Sequence, residues 1–406
     1  MPPNKVRQVL LVAIILGISL LITGCWDARE LQERNFVLAA AIDVADAGGG
    51  QGDDKTRKAE TFVQTHGSKK YRLSIQVLKL TGGGGGRSGG GGGSDASRTF
   101  VLSNTGDSLF EMVRDTLGQS SKGLYWEHIH TIVISEAAVK KAGIAPLTDF
   151  FRRDPEMRWR TRVLITPGEA REILELKTPT NEPGGLYLSN TLRFHSRNPH
   201  IPGARTDLGY LSQDLDNRHD FVLPRIVKAG KLVKVGGGAA FKKDKLVGFV
   251  DERVIFGTRF INGTLRSGII DVECKEHPGQ TLSFEIFNHD TRLKCFPEGD
   301  NVYFTLDTFV RGNLAEVTCG CQHDTDNPKY LREAEVAFAK EIKRLVLYSH
   351  ETSQKMGSDF NKLGPRLKTE DPKAWKRVEG RWEDIFPTVP LIVSASVSIR
   401  NIGEHK

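Results

Sequence analysis

Between Asn327 and Phe360 the chain repeats apolar residues at helical spacing for longer than anywhere else. Leu331, Ala334, Phe338, Ile342, Leu345, Val346, Ser349 and Met356 fall on one face of a single long amphipathic helix. A stripe of that length has to be covered along its whole extent, and the residues before it supply the cover. Segments 232–241 and 246–250 read as a hairpin turning at 242–245, followed by strand patterns at 254–261, 268–274, 281–287, 291–296, 302–311 and 314–317. After the helix, Trp375, Val378, Trp382 and Ile385 repeat the helical period briefly, and 389–399 alternates as a last strand. The second half is therefore expected to be an α+β domain, an antiparallel sheet packed against the long helix.

The first half also mixes strands and helices. Residues 36–44 form a continuous apolar run, the pattern of a buried strand, and 71–80 alternates as a partner for it. Further strands are expected at 98–102, 128–134 and 162–166. Helices are expected after a Thr105 or Asp107 cap, with Leu109, Phe110, Val113 and Leu117 on one face, then after a Ser135 cap, at 145–153 and at 168–176. Residues 181–224 lose periodicity and carry Pro183, Gly184, Gly185, Pro199, Pro202 and Gly203, the composition of a connector. The fold class is thus α+β in two, or three, mixed domains: 25–180, a connector or small middle domain at 181–230, and 231–402. Residues 82–94 are almost entirely glycine and interrupt the first domain as a flexible insertion.

The N-terminus decides where such a chain works. Lys5 and Arg7 precede an uncharged run from Val9 to Gly24, too short for a permanent span and ending in small residues before Cys25. Residues 1–24 read as a signal peptide, with Cys25 as the lipidated N-terminus that follows it. Two or more acyl chains hold a protein at a bilayer firmly where one holds it marginally. No second apolar run of membrane-spanning length follows. The net charge of +7 is scattered among interleaved acids. Its densest patches, Lys242-Lys243-Asp244-Lys245, Arg152-Arg153 and Lys340 to Arg344, read as solvated faces or as attraction to an anionic bilayer; nucleic acid is not an expected partner outside the membrane.

Chemistry-bearing clusters are sparse. Setting Cys25 aside leaves Cys274, Cys295, Cys319 and Cys321, all in the second half; an extracytoplasmic chain permits disulfides, Cys274 with Cys295 being one feasible pair, but spacing does not fix connectivity. Cys319-Gly320-Cys321 with His323, and His128 with His130 on one strand face, have the residue types of a metal site without a full ligand set, so no metal is assigned. Gly86-Arg87-Ser88-Gly89-Gly90 matches a nucleophile elbow in letters only, because a glycine tract supplies neither the strand before it nor the helix after it. No catalytic residue and no cofactor are assigned.

Several segments together resemble the Ger(x)C family, the lipoprotein C subunits of bacterial spore germinant receptors. They are the cysteine-terminated signal followed by Trp26-Asp27, Arg29-Glu30-Leu31 and Ile42-Asp43; His130-x-Ile132-Val133-Ile134-Ser135-Glu136; Asp149-Phe150-Phe151-Arg152-Arg153-Asp154-Pro155-Glu156; Gly238-Ala239-Ala240-Phe241 running on to Gly248; and Pro372-x-x-Trp375 with Trp382 to Pro387. Two departures stand out: the glycine tract, and Ser358-Asp359-Phe360-Asn361-Lys362-Leu363-Gly364, where the family often has a Gly-rich turn and an aromatic. The resemblance implies a non-enzymatic subunit, carrying diacylglyceryl and acyl lipid on Cys25, on the outer face of the spore inner membrane. Its implied partners are integral-membrane A and B subunits. It does not imply that this subunit binds the germinant itself. The alternative, a solute-binding lipoprotein of a transport system, calls for two βαβ-rich lobes around a cleft, which the antiparallel pattern of the second half does not favour.

Overall fold

The computed structural model describes residues 33–45, 70–79, 98–203, 205–230, 232–275, 277–299, 301–318 and 327–401. Cys25, the glycine tract at 82–94, and Cys319, Cys321 and His323 lie outside the described residues.

A large mixed sheet is built by the first half together with the 232–250 hairpin, which was expected in the second domain, in the order β3-β2-β1-β5-β6-β7-β8-β9. Its centre consists of β1 (Arg34–Val44), β5 (Thr131–Ser135) and β6 (Arg162–Thr166), paired in parallel with Ala39 opposite Thr131 and Thr131 opposite Arg162. These strands are apolar on both faces because helices cover both, as a parallel centre requires. On one side lie α1 (Leu109–Leu117), α2 (Glu136–Ala142), α3 (Ile144–Arg153) and α6 (Leu208–Asp216), and on the other α4 (Ala170–Leu174) and α5 (Gly184–Arg193). Antiparallel wings extend the centre: β2 (Tyr71–Leu78) and β3 (Thr99–Gly106) beside β1, and β7 (Phe221–Ala229), β8 (Leu232–Lys242) and β9 (Lys245–Val250) beyond β6. A short β4 (Gly123–Tyr125) pairs with the start of β1.

The Pro- and Gly-rich segment expected as a connector is part of this body. Its glycines serve contact rather than looseness: a Cβ on Gly185 would lie 2.5 Å from the Leu38 carbonyl oxygen, so only glycine lets α5 rest directly on β1. Residues 221–229 then form an interior strand of the sheet.

The second half builds a four-stranded sheet, β10 (Gly268–Glu273), β11 (Thr281–Glu298), β12 (Asn301–Val317) and β13 (Leu391–Asn401). β11 and β12 are single long strands where shorter pairs were expected; a bulge between Ile286 and Asn288 absorbs the break in alternation. The long helix is α8 (Pro328–Lys355), capped by the Asn327 side chain. Its stripe, from Ala334 through Phe338, Ile342 and Val346, joins Phe284, Phe304, Leu306 and Val310 in one core. Because the chain crosses the sheet through α8 before returning, β13 lies parallel to β12 rather than antiparallel.

The expected strand at 254–261 is instead helix α7 (Glu252–Ile261). An apolar run reads alike for a buried strand and for a helix covered on all sides. What decides here is Asp251, whose carboxylate accepts the Val254 N–H at 2.9 Å as an N-cap. Among the described residues no helix is long and apolar enough to cross a membrane.

Candidate functional site

The two halves meet at a polar seam made by the turn that follows α8. Gly357 and Lys362 both adopt left-handed backbone, at φ 60 and φ 64, and fold residues 358–362 back before α9 (Leu363–Glu370) begins. The Asp359 carboxylate caps that helix, accepting the N–H groups of Leu363 at 2.9 Å and Gly364 at 2.7 Å, and also the Trp382 indole N–H at 3.2 Å. The Asp359 backbone N–H donates across the seam to Asp220 at 2.7 Å, whose other oxygen accepts the Lys243 N–H at 2.8 Å. Ser358 donates to the Phe241 carbonyl at 2.8 Å, and Lys362 pairs with Asp214 at 2.6 Å.

Trp382 opens the short helix α10 (Trp382–Ile385), and Glu383 beside it holds both Lys242 and Lys243, at 2.9 and 2.5 Å. The residues that departed from the family pattern thus form the centre of this junction. Of the Lys242–Lys245 patch, read as a solvated face or a bilayer contact, Lys242 and Lys243 reach Glu383, whereas Lys245 lies against the Ala142 carbonyl of the first half.

Charge in the seam follows burial and partners. Burial pushes the Asp359 carboxyl up to about 7, with the neighbouring Asp220 adding to the shift, and burial raises Asp220 as well. Burial alone would raise Asp214, but His219 and Lys362 together outweigh it and hold it below the usual carboxylate range. Hydrogen bonds from Lys243 and then Lys242 bring Glu383 down to about 2. Asp359 is only 6% exposed and both its oxygens are taken by N–H donors, so the cluster is built as a tie between halves rather than as an acid or base open to a substrate.

A groove of about 510 Å³ runs between α1 and α3, walled by Leu109, Phe110, Leu147, Phe150 and Tyr71. Segment 149–156 forms one side of it, and each residue type there has its own task. Phe151 enters the core against Trp126, at 6.0 Å between rings, while Phe150 faces the groove. Arg152 ties to Ser212 and Asp216 on α6, Arg153 pairs with Asp149 at 2.8 Å on the rim, and Glu156 accepts the Trp126 N–H at 3.2 Å.

The histidines are not brought together as a metal site. His128 sits in a 3-10 turn before β5, its ring against Phe36 at 5.2 Å, and His130 precedes the strand with its proton affinity lowered chiefly by burial. Among the described residues no group of three or more His, Cys, Asp or Glu side chains could hold a metal ion.

Cys274 and Cys295 cannot bridge. Cys274 bonds to Gln280 at one end of the β10–β11 ladder, and at about 3.3 Å per residue Cys295 lies roughly 45 Å further along β11. Cys295 carries a free thiol.

Sequence reasoning missed Arg259. This side chain on α7 is 2% exposed and has no carboxylate partner among the described residues. Its guanidinium donates to the carbonyls of His195, Asn198 and Ile201 and, at 3.0 Å, to that of Thr264, stitching the 194–201 loop of the first half onto the second. Its only sequence signal was a lone arginine inside an apolar run.

Residues 27–228 match the N-terminal domain of spore germination proteins, and residues 236–403 match the C-terminal domain described as spore germination B3/GerAC-like. Spore germination protein YndF of Bacillus subtilis (strain 168) is 27% identical over 412 residues, covering 98% of each chain. Spore germination protein B3 of the same organism is 21% identical, covering 96% of this chain and 97% of that one. The crystal structure of the GerBC protein superposes with a TM-score of 0.57 at 20% identity, over 82% of this chain and 94% of that chain, a likeness of fold.

Proposed function

The chain belongs to the GerAC-like family of spore germination proteins, and on that premise we propose that it is the lipid-anchored C subunit of a nutrient-germinant receptor. It acts by assembly with integral-membrane A and B subunits rather than by catalysis. The observation that carries this reading is the match of both halves, in order, to the two germination domains. The seam supports it physically: two domains tied by Asp220 to Asp359 and Asp214 to Lys362 can respond to a partner as one body. Cys25 would carry the diacylglyceryl and acyl chains that hold this body on the outer face of the spore inner membrane.

The test is recovery of the tagged chain from detergent-solubilised spore membranes, in native form and as Cys25→Ala. Two multi-span membrane proteins should accompany the native chain, and the variant should leave the membrane fraction with loss of the germination response. Co-recovery of a transport permease with its ATPase would point to solute binding instead, and full activity of the unanchored variant would sink the anchoring argument.

A further inference from the structure

The basic patches prominent in the sequence are largely neutralised in the fold: Lys242 and Lys243 by Glu383, Arg152 by Asp216, Arg153 by Asp149 and Arg344 by Glu341. A different set of cations is left open. Arg158, Arg160, Arg193, Arg197, Arg205 and Arg266 are all exposed, and none forms an ion pair with a carboxylate among the described residues. Three carboxylates on flanking segments are already engaged. Asp207 caps α6 and faces Arg162, Glu182 accepts the Asn190 amide, and Glu156 accepts the Trp126 N–H.

These arginines come from separate segments that the fold gathers. Beyond the effect of burial, Arg158 and Arg193 both depress His130, and Arg266 acts with Arg259 and Arg162 on His195, so arginines of different segments reach the same histidines. The 158–161 turn is stitched to 206–209 by Thr161 and Trp159 carbonyls that accept from Leu208 and Gly209, each at 2.9 Å. Two large aromatics project from the same segments: Trp159 is 56% exposed and Phe194 is 59% exposed. Ringed by arginines on neighbouring positions, they have the composition of an interfacial anchor, aromatic bodies for the headgroup level and guanidinium groups for anionic lipid.

The location of this patch singles out the occupant. β1, β5 and β6 run in parallel, so the turns that lead into them share one end of the large sheet; the 158–161 turn and His130 are there, and so is the start of β1 at Arg34. Cys25 precedes the first described residue, Glu33, by eight positions, which span at most about 28 Å even if fully extended. A bilayer holding Cys25 is therefore within tether reach of this end of the sheet, where a weak surface contact is strengthened by its high local concentration.

We infer that the arginine-rich end of the large sheet, with Trp159 and Phe194 at its tips, is a docking surface for an anionic lipid bilayer. It sets the orientation in which the subunit stands on the membrane. The inference rests on the lipid-anchored reading for its occupant, but it concerns a separate contact with its own readout.

The test uses the full chain reconstituted by its N-terminus in vesicles of phosphatidylcholine, with or without phosphatidylglycerol, whose acyl chains are brominated to quench tryptophan. Comparison with Trp159→Phe isolates the Trp159 signal from the other tryptophans. We expect this signal to be quenched in the anionic vesicles, to recover at high salt, and to be at least about tenfold less populated when Arg158, Arg160, Arg193 and Arg197 are all changed to Gln. Circular dichroism of that variant checks that its fold is intact.

Trp159 left unquenched in both lipids, or quenched equally in both, overturns the inference. So does protection of Trp159 that arises only when another receptor subunit is co-reconstituted, because the surface would then belong to a protein. Failure of anchoring reads differently: the chain itself would not float with vesicles of either composition.

Discussion

The carboxylate of Asp220 accepts the backbone N–H of Asp359 at 2.7 Å, across 139 residues of sequence and across the boundary between the two halves. Two acids are thereby held next to each other, and their proximity helps to keep a proton on the more buried of the pair. The folded Asp359 carboxyl titrates at about 7, against 3.8 ordinarily. Between those values the folded chain keeps a proton that the unfolded chain has released, so the stability due to this group is complete below about pH 4 and is lost as the pH rises through about 7.

Asp359→Asn should cost about 1–3 kcal/mol at the acidic end of that window, because an amide cannot accept from all three N–H donors. The gap between the two chains should then close as the pH is raised, since the variant has no carboxyl to ionise. Urea unfolding across the window measures both effects. Asp214, held low by His219 and Lys362, and Glu383, held low by Lys243 and Lys242, favour the fold at higher pH, but they are present in both chains and cancel. A gap that stays constant with pH would refute the assignment.

Arg259 is a buried cation held by four carbonyl oxygens. Arg259→Met would fill the space but strand those carbonyls, and a loss of about 3 kcal/mol or more is expected. Arg259→Lys restores the charge without the fork that spans both segments, so it should rescue only part of the loss. Limited proteolysis should show cleavage entering first at the 194–201 loop in the methionine variant.

Helices α7 and α8 touch backbone to backbone at Gly257. A Cβ there would lie 2.2 Å from the Leu345 carbonyl oxygen and 2.6 Å from the Ser349 Cβ. Gly257→Ala is expected to destabilise by about 3 kcal/mol or more despite the better helix propensity of alanine. Gly380→Ala, which meets nothing within 4 Å, is the control and should leave the thermal midpoint nearly unchanged.

Cys295 should be slow to alkylate. Burial, a hydrogen bond to Glu370 and the charge of that carboxylate push its thiol up to about 12. Reaction at neutral pH should run roughly a thousandfold below that of an ordinary cysteine, and Glu370→Gln should recover part of the difference, read by mass spectrometry after iodoacetamide.

The sequence made legible whatever rests on short-range pattern. The α8 stripe, the Ser135 cap that accepts the Ala138 N–H, the alternation within β2 and the hairpin at 242–245 all depend on neighbours within a few turns of chain. Residues 254–261 misled because a helix wrapped in core on every side has no polar face to reveal its period. Pro199 and Gly185 suggested looseness where the structure uses them for close approach. The lysines at 242 and 243 were visible as charge, but their partner Glu383 lies 140 positions on from Lys243, beyond the reach of periodicity. The seam and the arginine end were hidden for the same reason, since each is assembled from segments that only the topology brings together.

The parallel pairing of β12 with β13 has a consequence in time. Phe304 aligns with Leu391, and the Ile399 N–H reaches back to Glu335 on α8 at 2.8 Å, so the fourth strand and one flank of the long helix are completed only by residues well beyond β12 in the chain. A chain delivered N-terminus first can close its large sheet early, whereas the smaller one stays unfinished, its β12 edge open to stray pairing, until residues 391–401 have arrived. Assembly of the second half therefore waits for β13, and a chain cut short before residue 391 would present an unfilled strand position to whatever strand came next.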